Sequence, residues 1–173
     1  MTDLVIRQAT ADDAEAMFAL IQAHLSEGHL LPRELDELRR HAERFLVAYL
    51  PKADAQSAVA YCELVACAEL APLSARVAEV RSLVVDSDVR GVGLASRLVT
   101  EIRSAAKSRG YETLCAFTHD ARFFVRQNFS IVPHTWLPEK IATDCLNCPL
   151  FRKCEQHAMM LPLVEVPRYA AVA

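Results

Sequence analysis

The chain has 173 residues, a hydrophobic fraction of 53% and a formal net charge of −3, which fits one domain with a substantial buried core. No apolar run approaches the roughly 18 residues of a membrane span, and the first residues lack the features of a secretory signal, so we expect a soluble, cytoplasmic protein. The charge gives no basic footprint for nucleic acid.

The first predicted elements are a strand at residues 4–7 and a helix after it. Hydroxyl and acidic side chains at residues 10–13 can cap the start of this helix, and Gly28 ends it. A loop at residues 28–32 and a second amphipathic helix at about residues 33–43 follow. The apolar positions of the first helix recur at helical spacing: Ala16, Met17, Leu20, Ile21 and Leu25.

Extended segments dominate the middle of the chain. Strands are predicted at residues 45–50, 64–70 and 77–86, and residues 51–57 are predicted to form a turn or an insertion. The short apolar run at residues 58–62 fits either a strand or a buried connection.

The most regular helical pattern comes next, and Gly110 lies at its C-cap position. A strand at residues 112–118, a short helix at about 120–127 and extended segments at 129–132 and 158–163 complete the chain. Strands alternating with helices indicate an α/β layered domain. The apolar stripe of the regular helix consists of Leu94, Leu98, Val99, Ile102 and Ala106.

Two of the four glycines, Gly91 and Gly93, lie where an apolar strand gives way to this helix. Glycine permits a sharp turn and close approach to a ligand, and a helix start offers N–H groups and a positive dipole end to a pyrophosphate. Arg90 adds a side-chain cation. A turn without a ligand is an equal alternative on the glycines alone, and their spacing differs from a dinucleotide fingerprint.

The segment Arg90-Gly91-Val92-Gly93-Leu94-Ala95 resembles the signature of the GNAT acetyltransferase superfamily, Arg/Gln-x-x-Gly-x-Gly/Ala after the fourth strand. The resemblance implies acetyl-CoA as co-substrate. It also implies a mixed, mostly antiparallel central sheet of six to seven strands with helices on both faces, splayed between the strands at residues 77–86 and 112–118. The strand end would pair with the pantetheine arm and the turn would hold the pyrophosphate. The implied coenzyme-binding residues are Leu83, Val84, Val85, Arg90, Gly91, Val92, Gly93, Leu94, Ala95 and Ser96.

Acetyl transfer to an amine requires the neutral amine, so a carboxylate that removes a proton is a candidate general base. Glu79 occupies the position where related N-acetylglutamate synthases carry their glutamate base. The alternative is a solvated strand residue paired with Arg81 on the same face. Asp86 and Glu69 are weaker candidates.

The general acid is not assigned by the sequence. Many members of the superfamily use a tyrosine on the short helix after the fifth strand, but this chain has Phe123 and Phe124 there. The coenzyme thiolate can leave unaided or take a proton from water, because its pKa of about 8.5 makes it a fair leaving group.

The resemblance to short, single-domain N-acetylglutamate synthases extends over most of residues 28–163. It is carried by Gly28-His29-Leu30-Leu31-Pro32-Arg33, by Phe123-Phe124 with Asn128-Phe129, and by Leu137-Pro138-Glu139-Lys140-Ile141 followed by Asp144-Cys145-x-x-Cys148-Pro149. That subfamily acetylates the α-amino group of L-glutamate in arginine biosynthesis.

A dicarboxylate acceptor requires two cationic clamps. Arg33 fits the substrate-loop arginine of the subfamily. His119 stands where longer relatives carry another arginine, so Arg81 or Arg122 is the alternative second clamp. Each of these side chains is otherwise a solvated surface residue.

A cysteine-rich loop at residues 144–157 precedes the last predicted strand of the single domain, residues 1–173. Cys145, Cys148, Cys154 and His157 form a Cys₃His set of the kind that binds tetrahedral zinc. Their spacing is not a common zinc-finger spacing, and His157 begins an apolar strand. Reduced, metal-free cysteines are the favoured interpretation.

Three hypotheses of function remain. The first is acetyl transfer from acetyl-CoA to L-glutamate. The second keeps the enzyme class but takes another amino acid or small amine as acceptor, since His119 departs from the subfamily pattern. The third is a non-catalytic acyl-CoA-binding regulatory module. The expected partner is a small-molecule substrate, with a homodimer expected by analogy alone.

Overall fold

In the computed structural model, residues 4–28, 30–53 and 60–164 are described. The strands of this part of the chain are β1 (Val5–Gln8), β2 (Phe45–Ala53), β3 (Ala60–Pro72), β4 (Val77–Val85), β5 (Thr113–Thr118), β6 (Ser130–Val132) and β7 (His157–Pro162). Its α-helices are α1 (Ala14–His24), α2 (Leu35–Arg40), α3 (Leu94–Ser108), α4 (Ala121–Arg126) and α5 (Pro138–Thr143). Short 3₁₀ turns connect several of them.

The strands form one seven-stranded sheet in the order β1-β2-β3-β4-β5-β7-β6. The β1–β2, β2–β3, β5–β7 and β6–β7 pairs are antiparallel, whereas β4 and β5 are parallel. The predicted fold class, a mostly antiparallel α/β sheet, is therefore confirmed. The β4–β5 ladder runs from Val77–Thr113 to Glu79–Cys115, and the predicted splay beyond it stays a prediction.

By internal contacts the chain divides into two compact units, of which the first comprises Met1–Ala71 and Val80–Ile102. Its core joins the apolar face of α1 to α2 and to the strands β2 and β3. This face contains the predicted residues Met17, Leu20 and Ile21, all of them buried. The 3.6-residue spacing seen in the sequence thus marks the buried side of the helix.

The second unit comprises Pro72–Glu79 and Arg103–Ala173. One hydrophobic cluster in its core, against which Leu73, Phe117 and Met160 pack, consists of the buried residues Val77, Cys115, Val132, Leu137 and Ala158. Because β7 pairs with β5 on one side and β6 on the other, it is internal to the sheet, and its residues Ala158 and Met159 are buried.

Two element boundaries differ from the prediction. β2 continues to Ala53, so a turn at residues 51–57 is wrong for its first three residues, which pair with β3. Residues 54–59 lie outside the described part of the chain, and the run at 60–62 belongs to β3. α2 covers Leu35–Arg40 rather than residues 33–43, because Glu34 is still extended and His41 leaves the helical region.

Helix α5 was not predicted at all. It begins with Pro138 at its first position, where the fixed φ of proline suits a helix start and its missing N–H costs nothing. None of the described helices is long and apolar enough to cross a membrane.

Candidate functional site

The turn between β4 and α3 has the backbone geometry that its glycines predict. Gly91 and Gly93 have φ values of 84° and 82°, a region that L side chains rarely adopt. A Cβ built on either glycine meets nothing within 4 Å, so the backbone conformation, and not lack of space, favours glycine here. Gly91, Val92 and Gly93 are all exposed.

Helix α3 starts directly after this turn. The carbonyl of Gly93 accepts the N–H of Arg97 at 3.0 Å, and the helix then runs for 15 residues. The N–H groups of the first turn of a helix have no partner within the helix. With the positive end of the helix dipole they form a surface that can bind an anion such as a pyrophosphate. This surface includes the predicted Leu94, Ala95 and Ser96.

The exposed side chain of Arg90 holds the turn by contacts with the protein itself. Its Nε donates to the carbonyl of Val85 at 2.9 Å, and Nη2 donates to both carboxylate oxygens of Glu27 at 2.8 and 2.9 Å. Arg90, and second His24, lower the pKa of Glu27 to about 2. The predicted contact of the Arg90 guanidinium with a ligand stays a prediction, and this ion pair fixes the base of the turn.

The backbone of β4 is irregular just before the turn. Ser82 has a φ of 48°, which costs a non-glycine residue about 1–3 kcal/mol and persists where surrounding contacts hold it. Two contacts do so: the Ser82 hydroxyl accepts from Arg33 Nη1 at 2.8 Å, and its carbonyl accepts from the Cys67 thiol at 3.8 Å. Residues 83–85, the predicted pantetheine-binding segment, follow this distortion.

Arg33, the predicted substrate clamp, lies in a buried ionic cluster of the first unit. Its guanidinium contacts Glu69 at 2.8 Å and Glu37 at 2.9 Å, and its side chain is only 10% exposed. Glu69 is 2% exposed, so Arg33 neutralises a buried charge. The weaker base candidate Glu69 is thus already ion-paired, and contact of Arg33 with a substrate stays a prediction.

Glu79, the predicted general base, lies on β4 in the second unit and is 2% exposed. Its Oε2 accepts from Nζ of Lys140 on α5 at 2.9 Å. The alternative expectation of a solvated glutamate is wrong because the carboxylate is buried, whereas its pairing with Arg81 stays a prediction. Arg81 itself is half-buried.

The third carboxylate candidate, Asp86, has a structural role. Its Oδ1 accepts the N–H of Asp88 at 2.9 Å and so caps the 3₁₀ turn Ser87–Val89. This bond orders the first part of the segment between β4 and α3.

The start of α4 presents the other proposed acceptor contacts. The carboxylate of Asp120 caps the helix by accepting the N–H of Phe123 at 3.2 Å. His119 and Arg122 are exposed on either side of this cap. Phe124 is buried edge-on against Phe129 and the half-buried Phe123, and neither Phe123 nor Phe124 supplies a hydroxyl.

In the described part of the chain, the candidate zinc ligands of the cysteine-rich loop do not come together. Among the described residues, no group of three or more His, Cys, Asp or Glu side chains is arranged to hold a metal ion. Cys148 and Cys154 are exposed thiols, whereas burial raises the pKa of Cys145. His157 opens β7 opposite Thr118. Cys145, Cys148, Cys154 and His157 are thus not brought together as a ligand set.

Sequence reasoning missed the two charged partners of the site residues, Lys140 and Glu27. Lys140 lies 61 positions from Glu79, and Glu27 lies 63 positions from Arg90. The only local signal was the spacing of Lys140 and Asp144, four residues apart on a segment that proline can start as a helix.

The model of the Acetyltransferase (GNAT) family matches residues 8–129. An uncharacterized N-acetyltransferase of Chlorobaculum tepidum is 28% identical over 93% of this chain and 97% of its own length. An amino-acid acetyltransferase of Mycobacterium tuberculosis is 25% identical over 76% of this chain and 71% of its own.

Solved structures share the fold. N-acetylglutamate synthase from Neisseria gonorrhoeae, complexed with coenzyme A and N-acetyl-glutamate, has a TM-score of 0.77 and 24% identity over 95% of this chain. The chain spans about a third of that longer protein, 36% of its length. A Mycobacterium tuberculosis protein in complex with CoA has a TM-score of 0.73 and 20% identity, covering 92% of this chain and 99% of the other.

Proposed function

This chain belongs to the acetyltransferase (GNAT) family, and from that premise we propose that it moves the acetyl group of acetyl-CoA to the α-amino group of L-glutamate. The observation that carries the proposal is the glycine turn before α3, which lies inside the family match and has a backbone suited to a pyrophosphate. Acetyl-CoA is the co-substrate that fits the family, and related structures contain coenzyme A.

In this reaction the amine of the acceptor replaces the thiol of coenzyme A at the carbonyl carbon of the acetyl group. The neutral amine attacks the thioester carbonyl and forms a C–N bond, and the tetrahedral intermediate then loses the C–S bond. The electron pair of that bond leaves with the coenzyme sulfur. Because an ammonium group has no lone pair, one proton must leave the acceptor before the attack.

We assign this proton transfer to Glu79. A carboxylate can take the proton directly or through one water, and Glu79 lies on β4, the strand that leads into the coenzyme turn. Its burial keeps competing bulk water away from the carboxylate. Lys140 supplies the positive charge that a buried carboxylate needs.

The choice of L-glutamate as acceptor rests on the relatives. One is an amino-acid acetyltransferase, and one solved structure contains N-acetyl-glutamate. In this chain, His119 and Arg122 are exposed polar groups at the start of α4. A guanidinium that binds a carboxylate through two parallel hydrogen bonds would recognise an acidic side chain, and we assign that contact to Arg122.

A specific observation favours a second candidate acceptor. The Arg33 guanidinium is held by Glu69 and Glu37, so it reaches a substrate carboxylate only by giving up internal ion pairs. An amino acid with one carboxylate needs one clamp fewer. Transfer to another amino acid is therefore the alternative within the same enzyme class.

The proposal is tested by following thiol release from acetyl-CoA with each of the common amino acids, with mass spectrometry of the acetylated product. We expect release and N-acetylation with glutamate, and slower rates with glutamine, aspartate and lysine. Preference for another amino acid would discard glutamate but keep the enzyme class. Coenzyme binding without acetylation of any acceptor would contradict the enzyme and favour a regulatory module.

A further inference from the structure

Helix α5 carries a lysine whose ammonium group lies between two carboxylates. Lys140 Nζ donates to Glu79 Oε2 at 2.9 Å and to Asp144 Oδ2 at 2.8 Å. Its side chain is 12% exposed and that of Glu79 is 3% exposed. Lysine is seldom buried to this degree unless it is paired, and keeping an ammonium ion there costs desolvation free energy.

We propose that Lys140 is the positioning residue that keeps the base Glu79 ionised and oriented for proton removal from the acceptor. The inference rests on the proposed function, since it gives Lys140 a role only if Glu79 takes that proton. Lys140 lies beyond the family match, which ends at residue 129, and within the segment at residues 137–141 that resembles N-acetylglutamate synthases.

The ammonium group is held from three directions. Glu79 comes from β4, Asp144 follows α5 in sequence, and the ring of Phe117 on β5 lies 5.2 Å from Nζ. A cation over an aromatic face is attracted by the ring quadrupole. Helix α5 is anchored by Leu137, which is 1% exposed, so the ammonium position is set by the fold.

Electrostatics makes the role of Lys140 specific. A carboxylate in a low-dielectric site favours its protonated form unless a cation is near, and a protonated Glu79 cannot accept a proton. Charged and titratable groups near the pair include Arg81, two positions along β4 from Glu79, Asp144 and Cys145 after α5, and Cys115, the β5 partner of Glu79. His134 stacks on Phe117.

The test compares pH profiles of kcat/KM, at saturating acetyl-CoA, for the wild type, Lys140→Met, Lys140→Arg and the exposed control Lys153→Met. Because a nearby cation favours the ionised form of a buried carboxylate, the acid limb of the Lys140→Met profile should move to higher pH by about one unit or more. On that limb the rate should fall about tenfold and recover at higher pH. The acid limb of Lys140→Arg should lie close to that of the wild type, because the positive charge is kept. The whole profile of Lys153→Met should match that of the wild type.

A purely structural role for Lys140 predicts a different result. Lys140→Met would then lose activity equally at every pH, in step with lower thermal stability, and an acid limb left in place would overturn the proposal. If Lys140→Met does not fold, Asp144→Asn is decisive. This substitution removes the second carboxylate that contacts Lys140, so the acid limb of the kcat/KM profile should stay in place or move to lower pH. Movement of the acid limb to higher pH would overturn the proposal.

Glu79→Gln separates this inference from the function on which it rests. If wild type transfers acetyl and Glu79→Gln does not, an unmoved limb in Lys140→Met refutes only the role of Lys140. If Glu79→Gln keeps wild-type activity, the base assignment fails and the role of Lys140 fails with it. If wild type acetylates no amine, the proposed function itself is wrong.

Discussion

Arg33 shows how a residue suited to ligand binding can be used inside the protein. Its ion pair with Glu69 joins two side chains that are 10% and 2% exposed, and it also holds the strained Ser82 of β4. A buried carboxylate left without its partner is costly. Arg33 therefore stabilises the strand on which the coenzyme is proposed to lie.

We predict that Arg33→Met lowers the free energy of unfolding by about 3–5 kcal/mol, because the buried Glu69 carboxylate loses the Arg33 cation. Urea unfolding measures the change, and Arg40→Met, at an exposed arginine of α2, should have little effect. Unchanged stability together with a raised KM for the acceptor would show that Arg33 is a substrate clamp instead.

Asp13 is the residue whose titration should matter most for stability in acid. It is 4% exposed and accepts from both terminal nitrogens of Arg7 at 2.7 and 2.8 Å. The Tyr49 hydroxyl and the Thr10 N–H also donate to it, at 2.6 and 2.7 Å. Arg7 first, and then Tyr49 and Thr10, hold the pKa of Asp13 well below its usual range.

A folded-state pKa below the unfolded value means that the carboxylate stabilises the fold above about pH 4 and that this contribution is lost as pH falls. We predict that Asp13→Asn is less stable than wild type at neutral pH and that the difference narrows steadily below about pH 4. The stability difference is measured from the midpoints of urea unfolding between neutral pH and acid pH, with Asp12→Asn, at an exposed aspartate, as the control. A difference that stays constant with pH would contradict the assignment.

At the scale of elements, the turn and the end of α3 offer a matched pair of glycines. Gly93 and Gly110 have φ values of 82° and 81°, and an added Cβ meets nothing within 4 Å at either. Alanine in this region costs about 1–2 kcal/mol. The two substitutions should therefore cost similar stability for the same reason.

Only Gly93 belongs to the proposed pyrophosphate site. We predict that Gly93→Ala weakens coenzyme A binding about tenfold or more, since the strained turn would misplace amides that bind the pyrophosphate. Gly110→Ala should bind like wild type. Titration calorimetry with coenzyme A gives both values, and equal affinities for the two variants would place the coenzyme elsewhere.

Elements with local signals were predictable from sequence. α1 and α3 have apolar faces at helical spacing; the predicted residues of α3 are all buried, whereas Ala16 and Leu25 on the predicted face of α1 are half-buried. α5 was missed because six residues give too short a pattern for periodicity, although Pro138 marked its start. The extension of β2 through Pro51 also escaped, since proline normally argues against a strand interior.

For the whole molecule, the fold class could be predicted from the alternation of elements and from the signature turn. The contacts of the candidate site residues could not be predicted in the same way. Arg33 lies 49 positions from Ser82, and Glu79 lies 61 from Lys140. Sequence motifs select residue types for a reaction, whereas the partners that neutralise buried charges come from distant parts of the chain. That is why the sequence indicates Glu79 as a candidate base but indicates neither its burial nor its contact with Lys140.

The central claim, that Glu79 drives acetyl transfer in a coenzyme-binding fold, is tested most directly by Glu79→Gln. We predict that the turnover of acetyl-CoA with the best acceptor falls about 10²- to 10⁴-fold. Coenzyme A affinity and thermal stability should equal those of the control Glu155→Gln, a substitution at an exposed glutamate. Turnover that survives in Glu79→Gln would contradict the claim and move the search for the base to another group.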